Sequence, residues 1–307
     1  MFFCVYGSIL LQTPEERSLI KGIIINKFRG DIRLFEEGIR MIEDLCKVPV
    51  LGVVPYYRGI YIEEEDSVML ESKNREAAAG KINVAVILLR HLSNFTDFNV
   101  LERDERVHLY YTNNVDDITK ADIILLPGSK NTLDDLYELR RNGVAQAILK
   151  ASQEGATVMG ICGGYQMMGL EVRDPEGVEG NVRMLPGLGL LPVITTMQGD
   201  KVTRQVEFTF DGTEALCKGY EIHMGRTVPA EGSPPSPFNQ LADGREDGYQ
   251  DKQKKCLGTY IHGILDNQPF IDFLLAPYIG KLGQQTFDYT AFKEEQYDKL
   301  AEHVRKH

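Results

Sequence analysis

Ala156-Thr157-Val158-Met159-Gly160-Ile161-Cys162-Gly163-Gly164-Tyr165-Gln166 is the stretch that decides the fold. Residues 156–162 form a short apolar run of the kind that becomes a buried parallel strand. The run ends in glycines, and a helical pattern with Met167, Met168 and Leu170 follows. A strand that ends on G-x-C-x-G and continues as a helix is the context of a nucleophile elbow. The sharp turn strains the backbone at the cysteine, and side chains beside it would strike the adjoining strand and helix. The sulfur then sits at a helix N-terminus, whose partial positive charge favours the thiolate. A lone cysteine is most often a small buried hydrophobe. The flanking glycines and Gln166 turn the reading of Cys162 to a nucleophile.

Outward from the elbow the chain alternates in the α/β manner. Residues 82–89, 107–112 and 121–128 read as strands, and 131–153 as one amphipathic helix. Beyond Gly187 the pattern becomes more β-like, through QVEFTF, GYEIHMG and LGTYIHG. Residues 229–256, rich in Pro, Gly and charge, read as a long loop with an irregular hairpin. Helical stretches at 267–280 and 290–304 close the chain. Upstream, Ala77-Ala78-Ala79-Gly80-Lys81 reads as a boundary. Before it lie a helix start at Thr13-Pro14-Glu15-Glu16, a strand at 22–26, a helix at 33–46 and a strand at 49–55. The opening run MFFCVYGSILL reads as a buried helix. It lacks the flanks of a signal peptide and falls short of the roughly 20 residues that span a bilayer.

The 307 residues suggest about two domains, divided here into 1–76, 81–280 and a C-terminal helical tail, 281–307. A net charge of -11 argues against a nucleic-acid or anionic-membrane surface, since phosphate backbones reward clustered Lys and Arg. The five cysteines are odd in number and contain no CxxC pair. Reduced thiols in a cytoplasmic protein fit better than a disulfide framework or a structural zinc site, and no metal site is expected.

A cysteine nucleophile needs a base and an oxyanion site. His262, at the end of the apolar run 257–261 and followed by Gly263, is the preferred base; His223 is the competitor. Backbone N–H groups at Gly163 and in the loop Leu126-Pro127-Gly128-Ser129 are the expected oxyanion donors.

GICGGYQ resembles the G-x-C-x-G-x-Q signature of class I glutamine amidotransferases. Together with LPGSKNT, GYEIHMG and GTYIHGILDN, it looks like the cobyric acid synthase branch of that class. Upstream, KGIIINKFRGD, PVLGVVPY and the YIEEEDS run (61–67) look like the end of that branch's ATP-dependent synthetase domain. The resemblance implies a partial P-loop, dethiobiotin-synthetase-like parallel sheet domain followed by a flavodoxin-like amidotransferase domain. It implies Cys162 as nucleophile and His262 as general base and acid. Gly128 and Gly163 would stabilise the oxyanion, and Gln166 would help hold glutamine. It also implies ammonia transfer to four carboxylates of a corrinoid, adenosylcobyrinic acid a,c-diamide, with ATP and Mg2+ used by the complete synthase. Asn26, Lys27 and Pro55 would then line the remnant of a nucleotide pocket.

Two departures stand out. Many class I amidotransferases carry Glu two residues after the catalytic His, and here that position is Ile264, as in the cobyric branch; Glu221 or Asp266 is left to orient His262. There is also no G-x-x-x-x-G-K-[ST] phosphate loop: Gly80-Lys81 is followed by Ile82, and Gly280-Lys281 by Leu282. The chain therefore reads as N-terminally truncated or as partnered by a separate P-loop half-domain, unable alone to use ATP or amidate a corrinoid. Other readings are a cobyrinic acid a,c-diamide synthase, a cell-wall lipid amidotransferase subunit and a non-catalytic binding fragment. NKFRGD and YEIHMG speak against the first two, and the retained Cys162 and His262 against the last.

Overall fold

A computed structural model describes residues 2–57, 60, 74–281 and 289–306. The acidic run 63–66, within YIEEEDS, lies outside the described residues. The chain divides into two compact units, Met1–Ile62 with Thr290–His307, and Glu63–Tyr289.

The first unit is built from helix α1 (Phe2–Leu10), helix α2 (Pro14–Leu19), strand β1 (Ile23–Phe28), helix α3 (Glu36–Cys46), strand β2 (Val50–Pro55) and most of the C-terminal helix Tyr289–Lys306. The helix start at Thr13 is a capping box: the Thr13 hydroxyl accepts from Glu16 N, while the Glu16 carboxylate reaches back to Thr13 N. β1 and β2 pair in parallel, and Ile23, Ile25, Ile42 and Val53 form a small core beside them. The opening run is helical, but it is not the buried helix that its apolar composition suggests. At helical spacing only one side reaches the core, so Ile9 is buried and Val5 and Tyr6 half-buried, while Leu10 is exposed.

The second unit carries a six-stranded sheet. Its strands are β3 (Ile82–Ile87), β4 (Val107–Thr112), β5 (Ile123–Leu126), β6 (Thr157–Ile161), β9 (Tyr249–Asp251) and β10 (Cys256–Thr259). The spatial order is β9-β10-β6-β5-β3-β4. All neighbours are parallel except the β9–β10 edge pair. Taken in chain order, the five parallel strands run 2-1-3-4-5, the flavodoxin-like arrangement, in which sites gather at the carboxyl ends of the strands. β3, β5 and β6 are buried along nearly their whole length, which explains why they read as unbroken apolar runs.

The stretch 131–153 is two helices, α4 (Thr132–Arg141) and α5 (Val144–Gln153), not one. The break falls at Gly143, whose φ of 83° is left-handed and costs little without a side chain. After the elbow helix α6 (Gly163–Met168), a second sheet is dominated by the long antiparallel pair β7 (Val193–Phe210) and β8 (Cys217–Pro229). The two-residue strand β11 (Ile261–His262) pairs with β8 at Tyr220 and Glu221. Helix α7 (Gln268–Leu275) closes this unit's apolar packing with Phe270, Ile271 and Leu274 buried.

Candidate active site

Cys162 stands directly between β6 and α6, with φ 53° and ψ -110°. A non-glycine residue in that region is strained and persists only where the surroundings hold it. They do so closely. Cys162 N donates to Thr259 O at 2.8 Å, and Cys162 O accepts from Gln166 N at 3.0 Å. A side chain at Gly164 would collide with the backbone carbonyl of Leu126, and one at Gly163 would come within 2.8 Å of Ser129 N. The glycines are there because the backbone of Leu126 and Ser129 passes directly against the elbow.

His262 arrives from β11, just beyond the end of β10, the parallel strand beside β6. Its Nδ1 lies 2.7 Å from Asp97 Oδ2. A carboxylate only accepts, so Nδ1 carries the proton and donates. Asp97 Oδ1 accepts from Gly263 N at 3.0 Å, which fixes the carboxylate against the same turn. Asp97 and His262 are both buried. Tyr220 stacks on the imidazole at 5.3 Å between ring centres, and its hydroxyl accepts from Asn94 Nδ2 at 3.0 Å. Burial alone would lower the imidazole's pKa. The Asp97 hydrogen bond and charge, with the Cys162 sulfur, outweigh it and raise the value from 6.5 to about 10. Nε2 has no hydrogen bond of ordinary length, although the thiol is close enough to act on the ring.

The carboxylate beside His262 is thus Asp97, and neither Glu221 nor Asp266 takes that place. Glu221 is instead drawn to Arg204 at 3.1 Å and Arg245 at 3.2 Å. His223 stacks on Tyr260, 3.8 Å between ring centres. Sequence reading passes over Asp97 because it lies 165 residues before His262 in a short 3-10 turn, Phe95–Phe98, with no motif around it.

The loop after β5 completes the arrangement. Gly128 and Ser129 pair with Ser93 and Leu92 in a two-residue ladder. A Cβ on Gly128 would lie 3.4 Å from His262 Cε1. Gly128, Gly163, Cys162 and His262 are therefore brought together, as the sequence suggests. A cavity of about 440 Å³ opens on Cys162 and His262, lined also by Ser129, Gln166, Glu179, Lys130 and Lys201. Gln166 is buried in its wall. Its Nε2 donates to Met224 O (2.8 Å) and Tyr260 Oη (3.2 Å), and its Oε1 accepts from Thr132 Oγ1 (3.0 Å). Both amide protons are thereby used, leaving only a carbonyl lone pair for a ligand.

Glu179, which no motif announces, accepts from Leu133 N (3.2 Å) at the start of α4 and shares with Gln166 the single hydroxyl proton of Thr132 (3.1 Å). Burial raises its carboxyl above the usual range, against those hydrogen bonds. Among the described residues it has no cationic partner. Asn26, Lys27 and Pro55 belong to the first unit. Lys27 is left-handed at φ 55° with its N–H on Asn26 Oδ1, and Pro55 O accepts from His303 Nε2 at 2.9 Å. Among the described residues no group of three metal-ligating side chains occurs, and no helix is long and apolar enough to cross a membrane.

A strained cysteine elbow at the carboxyl edge of a 2-1-3-4-5 sheet, faced by a carboxylate-held histidine, defines a class I glutamine amidotransferase domain. Residues 83–270 match the CobB/CobQ-like glutamine amidotransferase domain, and the chain belongs to that family. It is 71% identical over 308 residues to a cobyric acid synthase of Phocaeicola vulgatus, covering 100% of this chain and 62% of that protein. A cobyric acid synthase of Parabacteroides distasonis is 57% identical over 309 residues, with the same coverages. One of Listeria monocytogenes is 42% identical over 311 residues, covering 98% of this chain and 60% of that protein. The chain thus spans about three-fifths of the length of these relatives.

Proposed function

We propose that Cys162 hydrolyses the side-chain amide of glutamine. The Cys162–His262–Asp97 alignment carries the reading. The Cys162 thiol passes its proton to His262 Nε2 and the sulfur attacks the amide carbon; the carbonyl electrons move onto oxygen, where N–H groups of Gly163 and the Gly128–Ser129 loop receive the negative charge. The imidazolium of His262 gives its Nε2 proton to the departing nitrogen as the tetrahedral centre collapses, releasing ammonia and leaving a γ-glutamyl thioester. Water, deprotonated at His262 Nε2, then attacks the thioester; glutamate leaves and the thiol is restored. Asp97 holds the ring in the tautomer that presents Nε2 to the sulfur. Glu179 supplies a buried negative charge for the ammonium of glutamine, with Lys130 and Lys201 for its carboxylate; the raised carboxyl is what an unpaired buried acid shows before a cation arrives.

The ammonia serves the amidation of peripheral carboxylates of a corrinoid, adenosylcobyrinic acid a,c-diamide, on the way to cobalamin. The similarity to cobyric acid synthases supports this acceptor. On this reading the first unit is the C-terminal remnant of a P-loop synthetase domain. ATP and Mg2+ belong to the part that holds the P-loop, which in longer single-chain relatives has room on the same polypeptide. Asn26, Lys27 and Pro55, at the ends of β1 and β2, remain the candidate nucleotide-pocket positions, and a cytoplasmic location fits the free cysteines.

The test is ammonia release from glutamine by the purified chain. Cys162→Ala should remove it, to less than about a thousandth of wild type, with an unchanged thermal unfolding midpoint. Equal release by the variant would exclude Cys162 as the nucleophile.

A further inference from the structure

The oxyanion loop is held by a buried acid that the mechanism above does not use. Asp135 is on α4, 1% exposed. Its carboxylate accepts from Ser129 Oγ at 2.6 Å, from His91 N at 3.1 and 3.3 Å, and from His91 Nδ1 at 3.1 Å. None of these bonds stabilises its own helix. That task falls to Asn131, the N-cap, whose Oδ1 accepts from Asp134 N at 3.1 Å. Every bond of the Asp135 side chain leaves α4 for the two segments beside Cys162.

Those segments follow β3 and β5. They are joined by the Leu92–Ser129 and Ser93–Gly128 pairs and by Lys130 N donating to His91 O at 2.9 Å. Ser129 Oγ, besides donating to Asp135, accepts from Asn131 N at 2.9 Å. The loop therefore turns on a hydroxyl that a buried carboxylate fixes from below. Above, Ser129 N lies 2.8 Å from where a Gly163 side chain would begin. Burying a carboxylate is costly unless strong donors meet it, and here the donors are drawn from both site segments. A displacement of a few tenths of an ångström in Ser129 would change the aim of the N–H groups at the developing oxyanion, where geometry sets the rate.

We propose that Asp135 is a positioning residue for glutamine hydrolysis: it sets the Gly128–Ser129 loop that receives the oxyanion, through Ser129 and His91, without touching substrate. The inference rests on the amidotransferase reading of Cys162. Its test uses the purified chain with Asp135→Asn, Ser129→Ala and the double variant. Ammonia release should fall about tenfold to a hundredfold in kcat for Asp135→Asn, with KM for glutamine within about threefold of wild type. Alkylation of Cys162 by iodoacetamide needs no oxyanion site and should stay within about twofold. The double variant should be no slower than the slower single variant, because both substitutions cut one linkage.

Unchanged kcat in Asp135→Asn overturns the proposal. So do multiplicative losses in the double variant, or an alkylation rate and thermal midpoint that fall in step with kcat. Should Asp135→Asn fail to fold, Ser129→Ala decides, with the same kcat loss expected and an unchanged kcat overturning. A wild-type chain that is alkylated at Cys162 yet releases no ammonia removes the amidotransferase reading itself and this proposal with it. That outcome is distinct from a working wild type whose Asp135 variant is equally fast.

Discussion

At His262 burial and charge pull in opposite directions, and the neighbouring charges win. Burial disfavours the imidazolium, and the Asp97 carboxylate at 2.7 Å, with the Cys162 sulfur, restores it strongly enough to carry the pKa from 6.5 to about 10. The site at neutral pH therefore holds a protonated imidazole ready to deliver a proton to the leaving nitrogen. Asp97→Asn should lower the imidazole pKa and leave the ring free to adopt the wrong tautomer. A loss in kcat of roughly two to four orders of magnitude is expected, as when the acid of a catalytic triad becomes an amide. The folded-state pKa lies above the unfolded one, so the stabilisation is complete below pH 6.5 and fades as the pH rises through about 10. Denaturant unfolding at pH 6 and pH 10 would measure this. The wild type should lose more stability over that interval than Asp97→Asn, and equal slopes would assign the shift to another group.

The elbow illustrates what an element's sequence can announce and what it cannot. Strand β6, the glycines and α6 are local: strand period, steric need and helix pattern all lie within a dozen consecutive residues, so Cys162, Gly163 and Gln166 were legible. His262 was legible for the same reason, at the end of an apolar run. Asp97 and Glu179 were not, because each enters the site by tertiary packing from an irregular segment. The split of 131–153 into α4 and α5 was missed because apolar spacing continues across Gly143. Gln166 was read as a ligand to glutamine from its motif, while its amide protons are spent on Met224 and Tyr260. Packing at the elbow leaves no slack. A methyl at Gly164 must displace the Leu126 carbonyl, which is backbone of the neighbouring strand β5. Gly164→Ala should therefore destabilise the protein by about 1–3 kcal/mol, the usual cost of overpacking, read as a lower denaturation midpoint at unchanged slope. Wild-type stability in this variant would mean that β5 and α6 separate more easily than their contacts imply.

Across the whole molecule, the residues assigned to glutamine hydrolysis all fall in one unit. Asp97, Gly128, Asp135, Cys162, Gly163 and His262 lie within Glu63–Tyr289. That unit has a continuous core running from Ala85 and Ile87 through Ile124, Leu126 and Val158 to Met167 and Tyr260. A chain of that size buries most of its apolar surface on folding and falls well within the ordinary range for an independent domain. The first unit is smaller, with a two-stranded sheet and exposed apolar residues at Leu19, Ile24 and Leu51. Such a sheet is marginal on its own. Residues 63–289, produced as a separate polypeptide, should therefore unfold in one cooperative transition and hydrolyse glutamine within about threefold of the full chain's kcat. Residues 1–62 produced alone should show no cooperative transition. Loss of glutaminase activity from a well-folded 63–289 polypeptide would show that hydrolysis needs the first unit, and would relocate part of the catalytic requirement outside the elbow's own domain.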